Sequence, residues 1–267
     1  MSANLSTSYF AALRTSIRLV RHLRPARLWE IDALRGVAIT MMVIYHLLWD
    51  LHALGGWAIT IYTGFWHYFQ VATASSFTGL VGASMALRYQ ARQQQGGVRA
   101  EPFLVRGAVV FSWGIVIGIV TFLFNPGMYV RWGILHLIGF SLLVGWPFVR
   151  FRWLNLVLAA LLLLAGRAVM ALGLNSSWLD WLGLDATPRP AFDYFPVIPW
   201  LALPLIGMFI ANMLYRRGVR RFTLPDLGNR LFFRVLRLMG QNSLLIYLLH
   251  QPIMLAILAA LGVISLG

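Results

Sequence analysis

Ionisable side chains within the mainly apolar stretch 28–54 are the first residues whose types and spacing could do chemistry. Arg35 and His46 are eleven positions apart. On a helix they would lie within roughly 20° of one face and about 16 Å apart along the axis. Asp50 follows His46 by one helical turn on that face. Because ionisable groups inside a membrane segment are costly, each of the three is a functional hypothesis.

His46 and Asp50 are the candidate catalytic pair. His46 lies past the middle of the stretch, and the Asp50 carboxylate could accept its ring proton and fix its tautomer. A histidine–carboxylate pair in a medium of low dielectric constant is typical of a general base. The alternative is a structural polar pair that joins two helices. We favour the catalytic interpretation because of the cost of placing such groups in a membrane.

The composition indicates what must position these residues. The chain has 267 residues, of which 60% are hydrophobic and 11% are charged, whereas a typical soluble domain has about 25% charged residues. The net charge is +14, every basic residue apart from histidine is arginine, and there is no cysteine. These arginines lie between apolar runs, which is typical of membrane topology and not of a nucleic-acid-binding surface. Without cysteine, disulfides, thiolate nucleophiles and Cys-ligated metals are excluded, and we expect no metal site.

The sequence therefore predicts an all-α, polytopic transmembrane helix bundle. The predicted spans are seven: 34–54, 65–87, 107–124, 132–149, 153–173, 196–215 and 241–264. Most arginines between spans fall in 88–106, 150–152 and 216–240, so the positive-inside rule predicts a cytoplasmic N-terminus and an external C-terminus. Residues 1–27 are expected to form a basic amphipathic segment on the cytoplasmic leaflet, and 28–267 a single domain.

The last predicted span brings more polar groups into the bundle. Ser243, Tyr247 and His250 are spaced i, i+4, i+7 and share one helical face. Hydrogen bonding between helices explains this face as well as a functional site does. The external loop 174–195 is rich in acidic and aromatic residues, which suits a sugar acceptor or, equally, an interfacial aromatic belt.

Four stretches of the sequence together resemble a bacterial family of membrane proteins related to the catalytic domain of heparan-α-glucosaminide N-acetyltransferase. They are EIDALRGVAITMMVIYHLLWDL, GILHLIG, DYFPVIPW and GQNSLLIYLLHQP, and the similarity covers most of residues 28–260. More distantly, Arg35 and His46 look like the Arg–x10–His signature of the type-3 membrane acyltransferases. The resemblance implies a transmembrane acyltransferase fold in a bacterial inner membrane.

The resemblance also implies a reaction. Acetyl-CoA or another acyl-CoA would enter from the cytoplasm, and the acyl group would pass to a hydroxyl or amine of an external glycan or glycolipid. His46 is the preferred base, and His52 and His67 remain rivals because the animal acetyltransferase looks to place its key histidine in the loop after the first span. Both direct transfer and an acyl-histidine intermediate are open.

Further site residues are predicted, most of them within these stretches. Candidate contacts to the acyl-CoA donor are Arg35, Asp32, Ser243 and His250. Candidate contacts to the acceptor are His67, Arg131, His136, Asp193, Tyr194 and Trp200. The expected partners are membrane lipids and the acceptor, with a homo-oligomer as an option and no nucleic acid.

Two other classes of function compete with the enzyme. The inward histidines could instead ligate haem, in a membrane redox protein. The chain could also be a transporter or flippase for a sugar or lipid-linked substrate, although it shows no clear inverted repeat.

Overall fold

The computed structural model describes residues 28–97, 99–187 and 189–264. Its helices are, in chain order, α1 (Trp29–Ala53), α2 (Gly64–Gln93), α3 (Glu101–Phe124), α4 (Ile134–Gly145), α5 (Trp153–Leu172), α6 (Val197–Trp200), α7 (Ala202–Leu214), α8 (Leu231–Gln241) and α9 (Ser243–Ala260). Two 3-10 turns, Trp146–Phe148 and Ser177–Leu182, and a hairpin of β1 (Tyr215–Arg216) and β2 (Val219–Arg220) lie between them. The described part of the chain is mostly helical, in agreement with the prediction.

Five of the predicted spans are helices long and apolar enough to cross a membrane within the described ranges. They are α1, α3, α5, α6 and α7 taken together, and α9. The second predicted span is α2, a 30-residue helix that carries many small and hydroxyl residues and is not among these five. The fourth is the shorter apolar helix Ile134–Phe148, which reaches about 22 Å against the ~30 Å thickness of a bilayer core. The count of seven crossings therefore stays a prediction, as does the orientation of the N-terminus. The expected amphipathic segment 1–27 lies outside the described residues.

The last helix runs in the same direction as the first. The ring of His46 on α1 contacts the ring of His250 on α9, and further along Gly55 lies against Val263. The preceding helix, α8, crosses the beginning of α1, where the two backbones come very close. A Cβ atom on Gly240 would overlap the backbone oxygen of Asp32, so only glycine fits there.

The second pair of helices with close backbones is α2 and α7. A Cβ atom on Gly207 would overlap the backbone oxygen of Gly79. One end of the pair is joined by Asn212, which accepts a 2.8 Å hydrogen bond from Gln90. The amide of Asn212 also donates to the backbone oxygens that follow α4, at 3.0 Å. Helices α3 and α5 keep many large apolar side chains exposed, which is expected of helices at the lipid-facing edge of a bundle.

Residues 216–240 were predicted to be a loop between two spans. This prediction is wrong, because the segment contains most of the hairpin and of helix α8. Arg230, Arg234 and Arg237 lower the mean hydropathy of this segment. On a helix, however, those three side chains occupy one narrow face, and Phe233 and Leu236 lie on another face that packs against α1. The helix forms because that apolar face is buried against α1.

Candidate functional site

Two histidines from the first and last helices meet in the bundle. The ring centroids of His46 and His250 are 4.9 Å apart, with the rings inclined at 61° in an edge-to-face contact. Both side chains are partly buried. Each helix places its histidine well inside an apolar, span-length segment, so the pair lies away from either end of the bundle.

The hydrogen bond of His250 fixes which ring nitrogen carries the proton in the neutral ring. Its Nδ1 lies 2.6 Å from the backbone oxygen of Tyr247. A carbonyl oxygen can only accept a hydrogen bond, so Nδ1 must be the donor and Nε2 must hold the lone pair. The Nε2 atom is buried and has no hydrogen-bond partner among the described residues. His250 is therefore an oriented base whose accepting nitrogen is not used by the fold.

One turn along α1 from His46, the carboxylate of Asp50 is completely buried. Its Oδ1 accepts a 2.7 Å hydrogen bond from the side-chain amide of Gln251, the neighbour of His250 on α9. Within the described ranges the Asp50 carboxylate makes no hydrogen bond to the ring of His46, contrary to the expectation from their i, i+4 spacing. The other carboxylate oxygen, Oδ2, and the amide oxygen of Gln251 are buried without a partner there. Buried polar atoms are nearly always hydrogen-bonded, so these unpaired atoms next to the histidine pair indicate a place for a polar ligand or water.

The loop ahead of α6, residues 174–195, approaches the same two helices. Trp49 on α1 contacts the ring of Phe192 at 5.9 Å. The adjacent Asp193 accepts a 2.8 Å hydrogen bond from the backbone N–H of Ile134 at the start of α4, and its carboxylate interacts electrostatically with Tyr247 on α9. Burial raises the pKa of the Asp193 carboxyl to about 6, against the lowering effect of the Ile134 N–H. Asp193 thus anchors the loop to α4 and lies close to α9.

At the beginning of α1, Arg35 is held in a polar cluster. Its guanidinium pairs with Asp32 at 3.0 Å and donates to Ser84 on α2 at 2.8 Å. The other oxygen of Asp32 accepts from Gln241, at the end of α8, at 3.1 Å. The Arg35 side chain retains 24% exposure. It can therefore reach a ligand at this end of the bundle while three helices fix its position. Along α1, this cluster and the histidine pair are separated by about 16 Å.

The remaining predicted histidines lie near the ends of α1, α2 and α4. His67 is exposed near the start of α2, and its ring contacts only that of its neighbour Tyr68 among the described rings. His52 contacts the loop that follows α1, where its Nδ1 is 3.0 Å from the backbone oxygen of Trp57. The buried ring of His136 accepts a 3.2 Å hydrogen bond from the backbone N–H of Gly133 and so caps its own helix, α4. The structure does not bring these histidines to the His46–His250 pair.

Three other predicted acceptor contacts hold the loop 174–195 and its surroundings together. Arg131 pairs with Asp180 at 3.2 Å and donates to two backbone oxygens of the loop. The hydroxyl of Tyr194 donates to the backbone oxygen of Asp180 at 2.8 Å. Trp200 packs edge-to-face on Phe195 at 4.6 Å. Ser243, a predicted donor contact, begins α9 and is partly buried.

Sequence reasoning missed two polar groups near the site. Gln251, which bonds Asp50, follows His250 directly and was visible as a glutamine in the interior of an apolar helix. Glu30, in the first turn of α1, forms a two-point ion pair with Arg220 of the hairpin, at 2.6 and 2.7 Å. No local signal in the sequence marks that pair, because its members are 190 positions apart. Among the described residues no group of three or more His, Asp or Glu side chains is placed to hold a metal ion.

Comparison with known families places this geometry in context. The family model for the catalytic region of heparan-alpha-glucosaminide N-acetyltransferase matches residues 27–252. The chain belongs to this family. The match begins just before α1 and ends one residue after Gln251, so it includes both polar clusters. No curated protein and no solved structure matches the chain. As a member of the heparan-alpha-glucosaminide N-acetyltransferase family with five apolar span-length helices among its described residues, the chain is a membrane protein of an acetyltransferase family.

Proposed function

We propose that the protein transfers an acetyl or other short acyl group from cytoplasmic acyl-CoA to a hydroxyl or amine of an external glycan or glycolipid. The observation that carries the proposal is the contact between His46 and His250, with the lone pair of His250 Nε2 unused, in a chain of an acetyltransferase family. A buried, oriented imidazole nitrogen is what general-base catalysis of acyl transfer requires.

In this reaction the imidazole removes the proton of the acceptor hydroxyl or amine. The acceptor atom attacks the thioester carbonyl, the carbon–sulfur bond breaks, and the CoA thiolate leaves and takes up the proton. His46 was the expected base, and the fixed tautomer of His250 makes it the second candidate for the same step. Asp50 and Gln251, with one free acceptor oxygen each, would hydrogen-bond the acceptor beside them.

The donor would bind with its charged end at Arg35. A guanidinium is suited to phosphate oxygens because it can bind them with two parallel N–H groups. The pantetheine arm would then follow α1 over about 16 Å to bring the thioester to the histidine pair. For the donor to enter from the cytoplasm, the arginine-rich end of the bundle must be cytoplasmic, as in the predicted seven-span topology in a bacterial inner membrane. The external loop, with Arg131, Asp193 and Tyr194, would face the acceptor.

The haem alternative is not favoured by the same contact. Paired haem ligands lie on opposite faces of the macrocycle, whereas the rings of His46 and His250 touch each other. No feature of the described helices favours the transporter alternative over the enzyme.

The test is donor consumption in purified, reconstituted protein. Release of CoA thiol from acetyl-CoA, in the presence of candidate glycan acceptors, can be followed with a thiol reagent because the chain has no cysteine. His46→Ala and His250→Asn should each lower the rate, and loss of the base itself should cost on the order of 100- to 10,000-fold. Gln93→Ala, which changes an exposed polar side chain outside the pair, is the matched control and should keep the wild-type rate. Wild-type rates in both pair variants would refute the proposal.

A further inference from the structure

Helix α8 has three distinct faces. The first, with Phe233, Leu236 and Gly240, packs on α1. The second is apolar but exposed, and its members Leu231, Phe232, Val235 and Leu238 are 47–77% exposed. The third consists of Arg230 immediately before the helix, Arg234 and Arg237. These arginines fall within about 60° on a helical projection. We call them the α8 arginine face.

The charges of the α8 arginine face are not neutralised within the chain. Its three side chains form no ion pair or hydrogen bond in the described ranges, and α8 contains no acidic residue. All eight acidic side chains of the protein lie in the described ranges. Near this end of α1, Glu30 is paired with Arg220 and Asp32 with Arg35. Asp226, four positions before Arg230, accepts a 3.2 Å hydrogen bond from the backbone N–H of Gly228 and forms no ion pair with this face in the described ranges. An anion from outside the polypeptide can therefore neutralise these arginines.

The exposed apolar face of α8 indicates which kind of anion binds to the arginines. Four large apolar side chains next to the arginines would be unfavourable in water, and they suit the acyl region of a bilayer. Arginines on the polar face of an amphipathic helix that lies at a membrane surface extend their guanidinium groups to the headgroup level, where phosphates lie. A freely soluble phosphate compound would satisfy the arginines and leave the apolar face uncovered.

We infer that the α8 arginine face and its adjoining apolar face form a binding surface for anionic phospholipids. The phosphate of a lipid such as phosphatidylglycerol pairs with the guanidinium groups, and its acyl chains cover Leu231, Phe232, Val235 and Leu238. Because α8 crosses the beginning of α1, the same lipids border the polar cluster around Arg35. This surface is independent of the proposed acyl transfer, and its ligand is not the acyl-CoA donor.

Binding of lipids to the purified full-length protein tests the inference directly. The protein is titrated with phosphatidylglycerol or phosphatidylcholine in detergent, and bound lipid is counted by native mass spectrometry. The variant R230Q/R234Q/R237Q should lose on the order of 100-fold in apparent affinity for phosphatidylglycerol, from about one factor of five per arginine near a membrane surface. Its weaker binding of phosphatidylcholine should be unchanged. The variant R230K/R234K/R237K should retain most of the preference, because it keeps the charge.

The matched control is R99Q/R216Q/R217Q, which removes the same charge from exposed positions outside α8. It should keep the wild-type preference for phosphatidylglycerol. If the α8 variant and this control lose the same affinity, the surface is only part of a general positive charge, and the inference is overturned. It is also overturned if the α8 variant binds phosphatidylglycerol normally but loses acetyl-CoA binding. Unfolding curves of all variants check that each is folded. If the glutamine variant is misfolded, the lysine variant and the single glutamine substitutions test the inference instead.

Discussion

The hydrogen bond between Asp50 and Gln251 joins α1 to α9, and the two side chains should be strongly coupled in their effect on the free energy of unfolding. Asp50 has no exposed surface, and the one hydrogen bond of its carboxylate within the described ranges is the 2.7 Å contact from Gln251. Gln251→Leu strands a buried carboxylate, which should lower the free energy of unfolding by about 3 kcal/mol. Asp50→Leu strands an amide, which should cost about 2 kcal/mol. The double variant replaces both polar groups with apolar ones, and should cost only about 2 kcal/mol in total.

The assay is a double-mutant cycle measured by SDS-induced unfolding in mixed micelles. The single-variant losses should exceed the loss in the double variant by about 3 kcal/mol, which is the coupling energy. Gln93→Leu is the matched control, because this exposed amide makes only a 3.5 Å contact with Tyr89. It should change the free energy of unfolding by less than about 0.5 kcal/mol. Simple additivity of the two single losses would refute the reasoning, since it would mean that the two side chains do not depend on each other.

Three further predictions follow from other contacts. Gly207→Ala should lower the free energy of unfolding by about 1–3 kcal/mol or more, because its Cβ would overlap the backbone of α2, whereas Gly97→Ala meets no atom within 4 Å and should be neutral. The raised pKa of Asp193 means that the folded protein keeps a proton that the unfolded chain loses near pH 3.8, so stability should fall by about 2 kcal/mol as pH rises from 4 to above 6. Asp193→Asn should abolish that fall, as thermal unfolding across this pH range would show. Arg35→Lys should raise the KM for acyl-CoA on the order of tenfold with a smaller effect on kcat, because lysine cannot make the forked contacts to phosphate.

Each of these has an outcome that would count against it. Equal unfolding curves for the two glycine variants would show that α2 and α7 can separate at no cost. A pH profile of Asp193→Asn that matches the wild type would remove the buried carboxyl as the titrating group. A fall in kcat alone for Arg35→Lys would move Arg35 from donor binding to the chemical step.

Much of the frame was predictable because membrane helices follow from local hydropathy. The first predicted span, 34–54, corresponds to α1, and the last, 241–264, to α9. The inward face of α9 was predictable in part, since His250 does turn towards another helix and contacts His46. The class of chemistry came from the stretches that resemble the acetyltransferase family, and the family match confirms that relation.

What could not be predicted depends on which helices become neighbours. The i, i+4 spacing predicted His46 as the hydrogen-bond partner of Asp50. The Asp50 carboxylate is instead bonded by Gln251 of α9. The sequence does not indicate how α9 is rotated about its axis relative to α1. Helix α8 was missed for a different reason. Its arginines reduce its hydropathy, and only packing against α1 shows that the remaining positions form an apolar face. The hydrogen bond from the backbone N–H of Ile134 to Asp193 likewise depends on how the loop 174–195 packs against α4.

The central claim is that an acyl-CoA donor reaches from Arg35 to the histidine pair. A cryo-electron microscopy structure of the reconstituted protein with a non-hydrolysable acetyl-CoA analogue tests it most directly. The account predicts phosphate density against the guanidinium of Arg35 and the thioester analogue within about 3–4 Å of a ring nitrogen of His46 or His250. An analogue bound with its acyl end elsewhere, at His67 or at the surface of the loop 174–195, would contradict the account.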